Sequence, residues 1–343
     1  MGKIAMLTGG GDCPGLNAVI SAATRTLEDA GIDAIGLLDG WKGAIEGLTM
    51  DVNRQNTAHI IRQGGTILGT SRTNPYKTEG AVDKIKVSFK KLKLDGLIAI
   101  GGEDTLGVAT RLYQEEKLPV IGVPKTIDND LSATDFTFGF DTAVNIAMEA
   151  VERIHTTAAS HHRVIVVEVM GRHAGWIAAY SGIAGDADVT LVPEMEIDID
   201  AVCETLKKNR KAGKKYNIVV ASEGAMFKAG DFVTQEQELD SFGHVRLGGL
   251  GDALARMIEK RTDYETRSVI LGHIQRGGAP TAFDRILGTR FGVKAAQMVM
   301  AGDWGKMAAL KSNEIVAVPL ADATGELKLL NDDFKSLVTL FSK

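Results

Sequence analysis

The sequence has little of what marks several protein classes. Its two cysteines, Cys13 and Cys203, lie far apart without zinc-ligand spacing, which argues against a disulfide framework or a zinc cluster. No run approaches about 18 apolar residues, so no membrane span is predicted. The net charge of -5 leaves no global basic field for nucleic acid or an anionic membrane. We expect a cytoplasmic protein whose anionic ligands are held by local arginines.

The beginning of the chain predicts neither export nor lipidation. The apolar run after Lys3 is too short for the core of a signal peptide and lacks a cleavage site. Met6 stands where a myristoylation site needs serine or threonine. We therefore expect no targeting segment here.

The chain has 343 residues, 39 of them glycine, and short apolar runs alternate with helical patterns. Such alternation predicts an α/β protein with mainly parallel sheets and right-handed crossovers. The length indicates two domains or two lobes of one. The predicted strands are 3–8, 35–38, 96–101, 118–123, 163–169, 191–193, 216–222, 267–271 and 314–319. The predicted helices include 17–27, 81–94, 141–160, 199–211, 283–300 and 332–341.

Three glycine-rich segments carry the first sign of a ligand. They begin at Gly9, Gly64 and Gly101, and we expect all three at strand ends of one sheet. Backbone N–H groups at the start of a helix suit phosphate, so these segments predict one polyphosphate site. A purely structural turn remains an alternative for Gly9 to Gly15, which is neither a Walker A sequence nor a good G-x-G-x-x-G.

Two charged sites extend this prediction. Glu103 and Asp104 follow the strand that ends at Gly101, and two adjacent acids suit hydrated Mg²⁺ with phosphate oxygens. Asp104 or Thr105 could instead simply cap the following helix. Arg72 stands in the second glycine-framed segment, although a loop arginine is usually a solvated surface residue.

The segment from Gly122 to Asp130 is the most informative. An apolar strand is stopped by Pro124, which has no N–H to donate, and Lys125, Thr126, Asp128 and Asp130 follow. Ligands of open α/β sheets bind at the carboxyl ends of strands, so we expect chemistry at this loop.

The polar strand ends together suit phosphoryl transfer. That reaction needs a metal and cations around the moving phosphoryl group, a carboxylate for the acceptor's proton, and arginines for a second phosphate. An aspartate of ordinary pKa is already ionised at neutral pH and can accept the proton. The sets are Glu103, Asp104, Lys125, Asp128 and Asp130, and Arg72, Arg163, Arg172, Arg267, His273 and Arg276.

Six segments together resemble the 6-phosphofructokinase family, in its order and spacing from residue 3 to about residue 300. They are Gly9-Gly-Gly-Asp-Cys-Pro-Gly-Leu-Asn17, Gly101-Gly-Glu-Asp-Thr105, Pro124-Lys-Thr-Ile-Asp-Asn-Asp130, Met170-Gly-Arg172, Ser222-Glu-Gly224 and Gly272-His-Ile-Gln-Arg-Gly-Gly278. The resemblance implies two Rossmann-like three-layer lobes. Residues 1–140 with about 251–303 would bind the donor and Mg²⁺, and 141–250 with 304–343 the sugar phosphate.

The resemblance also implies residue roles. Asp128 would be the general base on the 1-hydroxyl of fructose 6-phosphate, supported by Thr126 and Asp130. Arg72 would touch the transferred group, and Gly10, Gly11 and Glu103 would face the donor and its metal. The implied sugar-phosphate residues are Ile127, Met170, Gly171, Arg172, Glu223, Arg163, Arg267, His273, Ile274, Gln275 and Arg276. In this family a neighbouring subunit donates part of the set, which implies a homodimer or homotetramer with shared active sites.

Two positions predict the donor. ATP-using bacterial members resemble Gly-Gly-Asp-Gly-Ser and Pro-Gly-Thr where this chain has Asp104 and Lys125, whereas pyrophosphate-dependent members carry the aspartate and the lysine. A carboxylate in the place of a nucleotide's α-phosphate would repel it by roughly 4 kcal/mol at about 4 Å and an effective dielectric near 20. Lys125 adds a point charge for pyrophosphate. The alternative for Lys125 is a solvated loop lysine.

Two departures from the family pattern bear on metal binding and control. Glu103 stands in place of the commoner aspartate and reaches one methylene further. Ser21 stands where effector-regulated relatives carry arginine, although Arg25 and Arg54 are retained.

Other hypotheses stay open. An ATP-dependent enzyme, or the same reaction on sedoheptulose 7-phosphate, would use the same fold. A nicotinamide-dependent oxidoreductase would need a proper G-x-G-x-x-G, from which Gly9 to Gly15 departs. A sugar-phosphate sensor without activity would lack a base, and Asp128 is present.

Overall fold

The computed structural model describes residues 2–228 and 249–342. The chain forms two compact units. Among the described residues, those within 1–127, 131–142 and 276–327 form the first unit, and those within 128–130, 143–275 and 328–343 form the second.

Strands and helices alternate along most of the chain, as predicted. The strands are β1 Lys3–Thr8, β2 Asp33–Leu37, β3 Thr49–Asp51, β4 Gly96–Gly101, β5 Val120–Pro124, β6 Val164–Val169, β7 Val189–Leu191, β8 Asn217–Ser222, β9 Thr266–Ile270, β10 Lys306–Lys311 and β11 Glu314–Pro319. The α-helices are α1 Leu16–Asp29, α2 Trp41–Glu46, α3 Ala81–Leu92, α4 Glu103–Glu116, α5 Phe140–His161, α6 Trp176–Ala184, α7 Ile199–Lys211, α8 Leu250–Thr262, α9 Ala282–Ala301 and α10 Asp332–Phe341. None of these helices has the length and hydrophobicity that a membrane span requires.

The first unit contains a seven-stranded sheet in the order β11-β10-β5-β4-β1-β2-β3. Its five central strands are parallel, and the edge strands β3 and β11 are antiparallel to their neighbours. β1, β4 and β5 are apolar on both faces because helices cover both sides of a parallel sheet. Leu7, Ile98 and Ile121 are accordingly fully buried.

The second unit contains a four-stranded parallel sheet in the order β7-β8-β6-β9. Val164, Val166 and Val219 of its strands pack with Leu206 of α7 and Leu254 of α8 in one core. The mainly parallel α/β architecture predicted from the sequence is therefore confirmed.

The boundaries of the two units differ from the sequence-based prediction. β9 pairs with β6, so residues 251–275 belong to the second unit. β10, which the sequence analysis missed, pairs with β5 and forms a hairpin with β11, so residues 304–327 belong to the first unit. Alanines and lysines are weak strand formers, and β10 forms because it has a neighbour on each side. Which unit binds the donor and which the sugar stays a prediction.

Candidate active site

The carboxyl ends of β1, β4 and β5 lie side by side in the first unit because these strands are neighbours in the sheet. The Gly9 N–H donates to Ile100 O at 2.9 Å, and the Lys125 N–H donates to Gly101 O at 3.0 Å. The three loops that follow these strands are thus tied together by backbone hydrogen bonds. They bring Gly10, Gly11, Glu103, Asp104, Lys125 and Thr126 to one edge of the sheet.

The segment that begins at Gly64 does not follow a strand, contrary to the prediction. It follows a single 3₁₀ turn, Ile60–Arg62. It nevertheless lies against the first glycine loop, because the Gly10 N–H donates to Ser71 O at 3.3 Å. Exposed Arg72 is therefore carried next to the Gly9–Gly11 loop.

Lys125 is not a solvated loop lysine. Its side chain is 4% exposed, and its ammonium donates to the carbonyl oxygen of Gly11. A lysine charge this deeply buried must be compensated by hydrogen bonds or by an anion. The buried ammonium at a glycine-rich loop therefore suits a phosphate ligand.

The two acids lie in the first turn of α4, Glu103 exposed and Asp104 partly buried. In the described structure Gly102 is the N-cap of α4, and no side chain caps the helix. The simple capping role considered for Asp104 or Thr105 is therefore wrong. Both carboxylates benefit from the helix dipole, because they lie in the first turn of α4.

No group of three or more His, Cys, Asp or Glu side chains among the described residues is arranged as a metal site. Mg²⁺ does not require such a group, because it is usually held by one or two carboxylates together with phosphate oxygens and water. The adjacent acids at the start of α4 fit this requirement once a phosphate ligand supplies the remaining oxygens.

A cavity of about 350 Å³ borders these acids. Its walls include Glu103, Asp104, Tyr76 and Arg111. The guanidinium carbon of Arg111 lies 3.5 Å from the centre of the Tyr76 ring, and Arg111 Nε is 2.9 Å from Glu115. The cation covers one face of the ring, where a nucleotide base could otherwise stack.

Arg276 also lies at the glycine loop of the first unit. A β-carbon added to Gly11 would come within 2.6 Å of the Arg276 guanidinium. Glycine at position 11 thus lets an arginine approach the backbone closely. Although Arg276 was predicted with the sugar-phosphate residues, it shares the first unit with Lys125.

In the second unit the carboxyl ends of β6, β8 and β9 gather another predicted set. The Glu223 N–H donates to Val169 O at 2.8 Å, and the Arg172 N–H lies 3.4 Å from Glu223 Oε1. A β-carbon added to Gly224 would collide with Arg172 O, so glycine permits this close approach. The turn after β6 therefore packs against the turn after β8, which brings together Met170, Gly171, Arg172 and Glu223.

The turn after β9 completes this edge of the sheet. Buried Gln275 accepts a hydrogen bond through Oε1 from the Met170 N–H at 3.3 Å, and its Nε2 donates to Gly272 O at 3.1 Å. His273 and Ile274 of the same turn are exposed. Gln275 is therefore a structural support, and its two exposed neighbours are accessible to a ligand.

Arg163 and Arg267 are not part of this group. They flank the amino ends of the paired strands β6 and β9, and both lie 2.7 Å from Glu265. The ion pair raises the pKa of Arg163 and lowers that of Glu265. The length of β6, roughly 17 Å at 3.3 Å per residue, separates them from Gly171 in the same chain.

The loop from Lys125 to Asp130 is divided between the two units after Ile127. Thr126 O accepts a hydrogen bond from Thr137 Oγ1 at 2.8 Å, which fixes the part in the first unit. Asp128 and Asn129 are 8% and 2% exposed, and Asn129 has a left-handed φ of 53°. Asp130 O accepts a hydrogen bond from the Lys328 N–H at 2.8 Å.

Sequence reasoning missed several residues that support these loops. Burial raises the pKa of the Cys13 thiol and that of Asp284, the latter to about 6. Asp284 Oδ2 accepts hydrogen bonds from the N–H and the hydroxyl of Thr142, at 2.8 and 2.5 Å. Asp284 and Lys328 stand in no recognisable motif, and the segment Gly9–Asn17 that contains Cys13 gives no sign that its thiol is buried, so the sequence holds no signal for their roles.

Ser21 is buried, and its hydroxyl donates a hydrogen bond to Thr57 O at 3.0 Å. This contact ties α1 to the segment that contains Thr57. Arg54 lies within 3.5 Å of Glu28 and 2.5 Å of Asp29.

Comparisons with known proteins agree on one family. The profile of the phosphofructokinase family matches residues 3–299. A pyrophosphate–fructose 6-phosphate 1-phosphotransferase from Streptomyces coelicolor is 55% identical over 340 residues, 99% of this chain and 99% of the relative. An ATP-dependent 6-phosphofructokinase 3 from the same organism is 49% identical, over 96% of this chain and 97% of the relative.

The phosphofructokinase structure from Saccharomyces cerevisiae superimposes with a TM-score of 0.81 at 28% identity. The match covers 99% of this chain and 47% of the yeast chain, so this chain spans about half the length of that relative. Relatives named for both donors are similar along nearly the whole chain. Overall similarity therefore does not select the donor, and the residues at the donor loops must do so.

Proposed function

The chain belongs to the phosphofructokinase family, and we propose that it transfers a phosphoryl group reversibly from pyrophosphate to the 1-hydroxyl of fructose 6-phosphate. The products are fructose 1,6-bisphosphate and phosphate. The observation that carries this proposal is the buried ammonium of Lys125 on the Gly11 carbonyl, in the unit that also places Asp104 in the first turn of α4.

The donor is assigned to the first unit. Lys125, Arg72 and the N–H of Gly11 are groups that stabilise the negative charge on pyrophosphate oxygens, and Gly10 belongs to the same loop. Asp104 disfavours a nucleotide by charge repulsion. The cavity beside Asp104 supports the same choice, because Arg111 covers the Tyr76 ring.

Mg²⁺ is assigned to Glu103, with Asp104 beside it at the start of α4. When bound, the ion would neutralise part of the charge on the donor oxygens. Its remaining ligands would come from the donor and from water.

The sugar and the base are assigned to the second unit. Asp128 accepts the proton of the 1-hydroxyl as the oxygen forms its bond to phosphorus, while the bond from phosphorus to the leaving phosphate breaks. Thr126, Ile127 and Asp130 position this step. Met170, Gly171, Arg172 and Glu223 hold the sugar, and His273 and Ile274 lie on its phosphate side, with buried Gln275 as the support of this turn and Arg276 at its end.

Arg163 and Arg267 are proposed to serve the site of a neighbouring subunit. Within one chain they lie at the other end of β6 and β9 from Gly171 and His273. A homodimer or homotetramer with shared sites would give these two cations a phosphate to bind. We place the enzyme in the cytoplasm, where its proposed substrates occur.

The test is a donor comparison with the purified protein. We expect Mg²⁺-dependent formation of fructose 1,6-bisphosphate with pyrophosphate and little with ATP. A preference for ATP would overturn the proposed donor and leave the family assignment intact. Sedoheptulose 7-phosphate, run in parallel, tests whether the acceptor is a different sugar phosphate.

A further inference from the structure

Lys328 lies next to the loop that carries Asp128, although 199 residues separate it from Asn129. Its ammonium donates to Asn129 Oδ1 at 2.9 Å, and its backbone N–H donates to Asp130 O at 2.8 Å. One residue from the far end of the chain thus contacts both residues that follow Asp128.

Asn129 holds an unusual conformation. Its φ of 53° is left-handed, which asparagine tolerates better than most residues, and its side chain is 2% exposed. The contact with Lys328 satisfies the side-chain oxygen of this buried amide. Since Asn129 directly follows Asp128, holding Asn129 restrains the peptide bond that joins the two residues and thereby the backbone of Asp128.

Lys328 is itself held from its other side. Trp176 Nε1 donates to Lys328 O at 2.8 Å, and the Lys328 ammonium lies 5.9 Å from the centre of a Trp176 ring. Cation–π contacts act at this distance. Two residues on, the Leu330 N–H donates to Glu194 Oε1 at 2.9 Å, and the same oxygen accepts from the Gly175 N–H at 2.9 Å.

Trp176 and Gly175 immediately follow the Gly171–Ala174 turn, which carries two of the residues assigned to the sugar, Gly171 and Arg172. The segment Lys328–Leu330 therefore spans from the Asp128 loop to the sugar turn within the second unit. Its contacts fix the distance between the group that takes the proton and the groups that hold the sugar.

We propose that Lys328 is a positioning residue for the phosphoryl transfer. It acts through Asn129 to hold Asp128 at a fixed distance from the Gly171–Ala174 turn. This inference rests on the proposed role of Asp128 as the base. It predicts a role in turnover, because the contacts of Lys328 are made to the two residues that follow Asp128.

The test is a double-mutant cycle on Lys328→Met and Asn129→Gly. Glycine keeps the left-handed φ accessible and removes the whole side chain, including the oxygen that Lys328 contacts. We expect each variant to lower kcat about tenfold to a hundredfold, the size of a displacement of about 1 Å at a reacting group. The double variant should lose little more than either single variant, because both remove the same contact.

Three further measurements separate positioning from a merely structural role. The KM for pyrophosphate and the thermal midpoint should stay near the wild-type values, and Lys328→Arg should recover part of kcat. Lys335→Met is the matched control, since Lys335 is in the same C-terminal segment and pairs only with Asp332 at its own helix start among the described ion pairs. It should leave kcat within twofold.

The proposal is overturned if Lys328→Met keeps kcat within twofold of wild type, or if the two single losses simply multiply in the double variant. If Lys328→Met does not fold, the test rests on Asn129→Gly. An unchanged kcat in that variant also overturns the proposal. All assays use whichever donor the wild type prefers, and Asp128→Ala is run beside them. Turnover that survives Asp128→Ala counts against the proposed base, independently of the outcome for Lys328.

Discussion

The two units assemble their candidate phosphate-handling residues in different ways. In the first unit, the predicted donor residues follow β5, β4 and β1, three adjacent parallel strands, and backbone hydrogen bonds join the loops. In the second unit, the strands β8, β6 and β9 are also adjacent. The loop that carries Asp128 does not follow any of them, and it is linked to the segment after β6 through Lys328, which contacts Trp176. Two of the predicted arginines, Arg163 and Arg267, lie at the amino ends of β6 and β9. Contacts distant in sequence bring the candidate residues together in both units, but those of the first unit stand in short motifs directly after adjacent strands, whereas Lys328 stands in no motif.

The cations of the two units differ as well. Lys125 is buried at the glycine loop, so its charge is little screened by salt or solvent. Arg267 is about half exposed and shares Glu265 with Arg163. Changes at Lys125 should therefore alter the choice of donor, while changes at Arg267 should have smaller effects that depend on ionic strength.

The largest effect is expected in the second unit at Asp128. Asp128→Asn removes the proton acceptor and keeps the shape of the side chain, so we expect kcat to fall by about 10³ to 10⁴. The measurement is steady-state turnover with pyrophosphate and fructose 6-phosphate, with the thermal midpoint as the control for folding. A kcat within tenfold of wild type would show that another group takes the proton.

The donor assignment of the first unit is tested by Asp104→Gly combined with Lys125→Gly. Removing the repulsion of roughly 4 kcal/mol, together with the buried ammonium, should change the ratio of kcat/KM for ATP over pyrophosphate by up to about 10³. The KM for fructose 6-phosphate is the internal control, because the sugar is assigned to the other unit. An unchanged donor ratio in a folded variant would mean that these charges are incidental.

Asp284 offers a test of how much the buried hydrogen bonds of the first unit contribute to its stability at different pH values. Its folded-state pKa of about 6 exceeds the usual 3.8, so the folded protein holds this proton more tightly than the unfolded chain. The stability that this group contributes is fully present below pH 3.8 and is lost as the pH rises through about 6. The loss is about 3 kcal/mol at 1.36 kcal/mol per pKa unit.

Asp284→Asn should therefore flatten the decrease in unfolding free energy between pH 4 and about 6.5, measured by urea titration. Asp322→Asn, at an exposed position in the same unit, should leave that decrease as it is in the wild type. Parallel curves for wild type and Asp284→Asn would indicate that the carboxyl titrates normally.

The smallest effect is expected for Arg267→Ala. Losing one charge-assisted contact should raise the KM for fructose 6-phosphate about tenfold and leave the KM for pyrophosphate unchanged. Lys260→Ala, another exposed cation of the second unit, is the control for net charge.

Mixed oligomers make this test specific. A site that combines Asp128 from an Arg267→Ala subunit with Arg267 from an Asp128→Asn subunit is complete, so mixing the two variants should restore turnover at low sugar concentration. If mixing restores nothing, the arginines do not serve a neighbouring subunit.

Much of the fold could be predicted because its elements carry strong local signals. α7, β11 and α10 have the bounds expected from their patterns. β10 was missed, since two alanines between lysines indicate no strand without the flanking β5 and β11. The unit boundaries were misplaced for the same reason: strand pairing is a long-range property that residue order does not display.

For the candidate site, the sequence by itself determined the family, the mainly parallel architecture, and the identity of the polar residues that follow the strands. Those features depend on local periodicity and on short motifs. Only the tertiary structure decided that Lys125 is buried, that Gly102 rather than Asp104 caps α4, and that Lys328 contacts Asn129 and Asp130. Burial and contacts between residues 199 positions apart are set by packing, which no local pattern encodes.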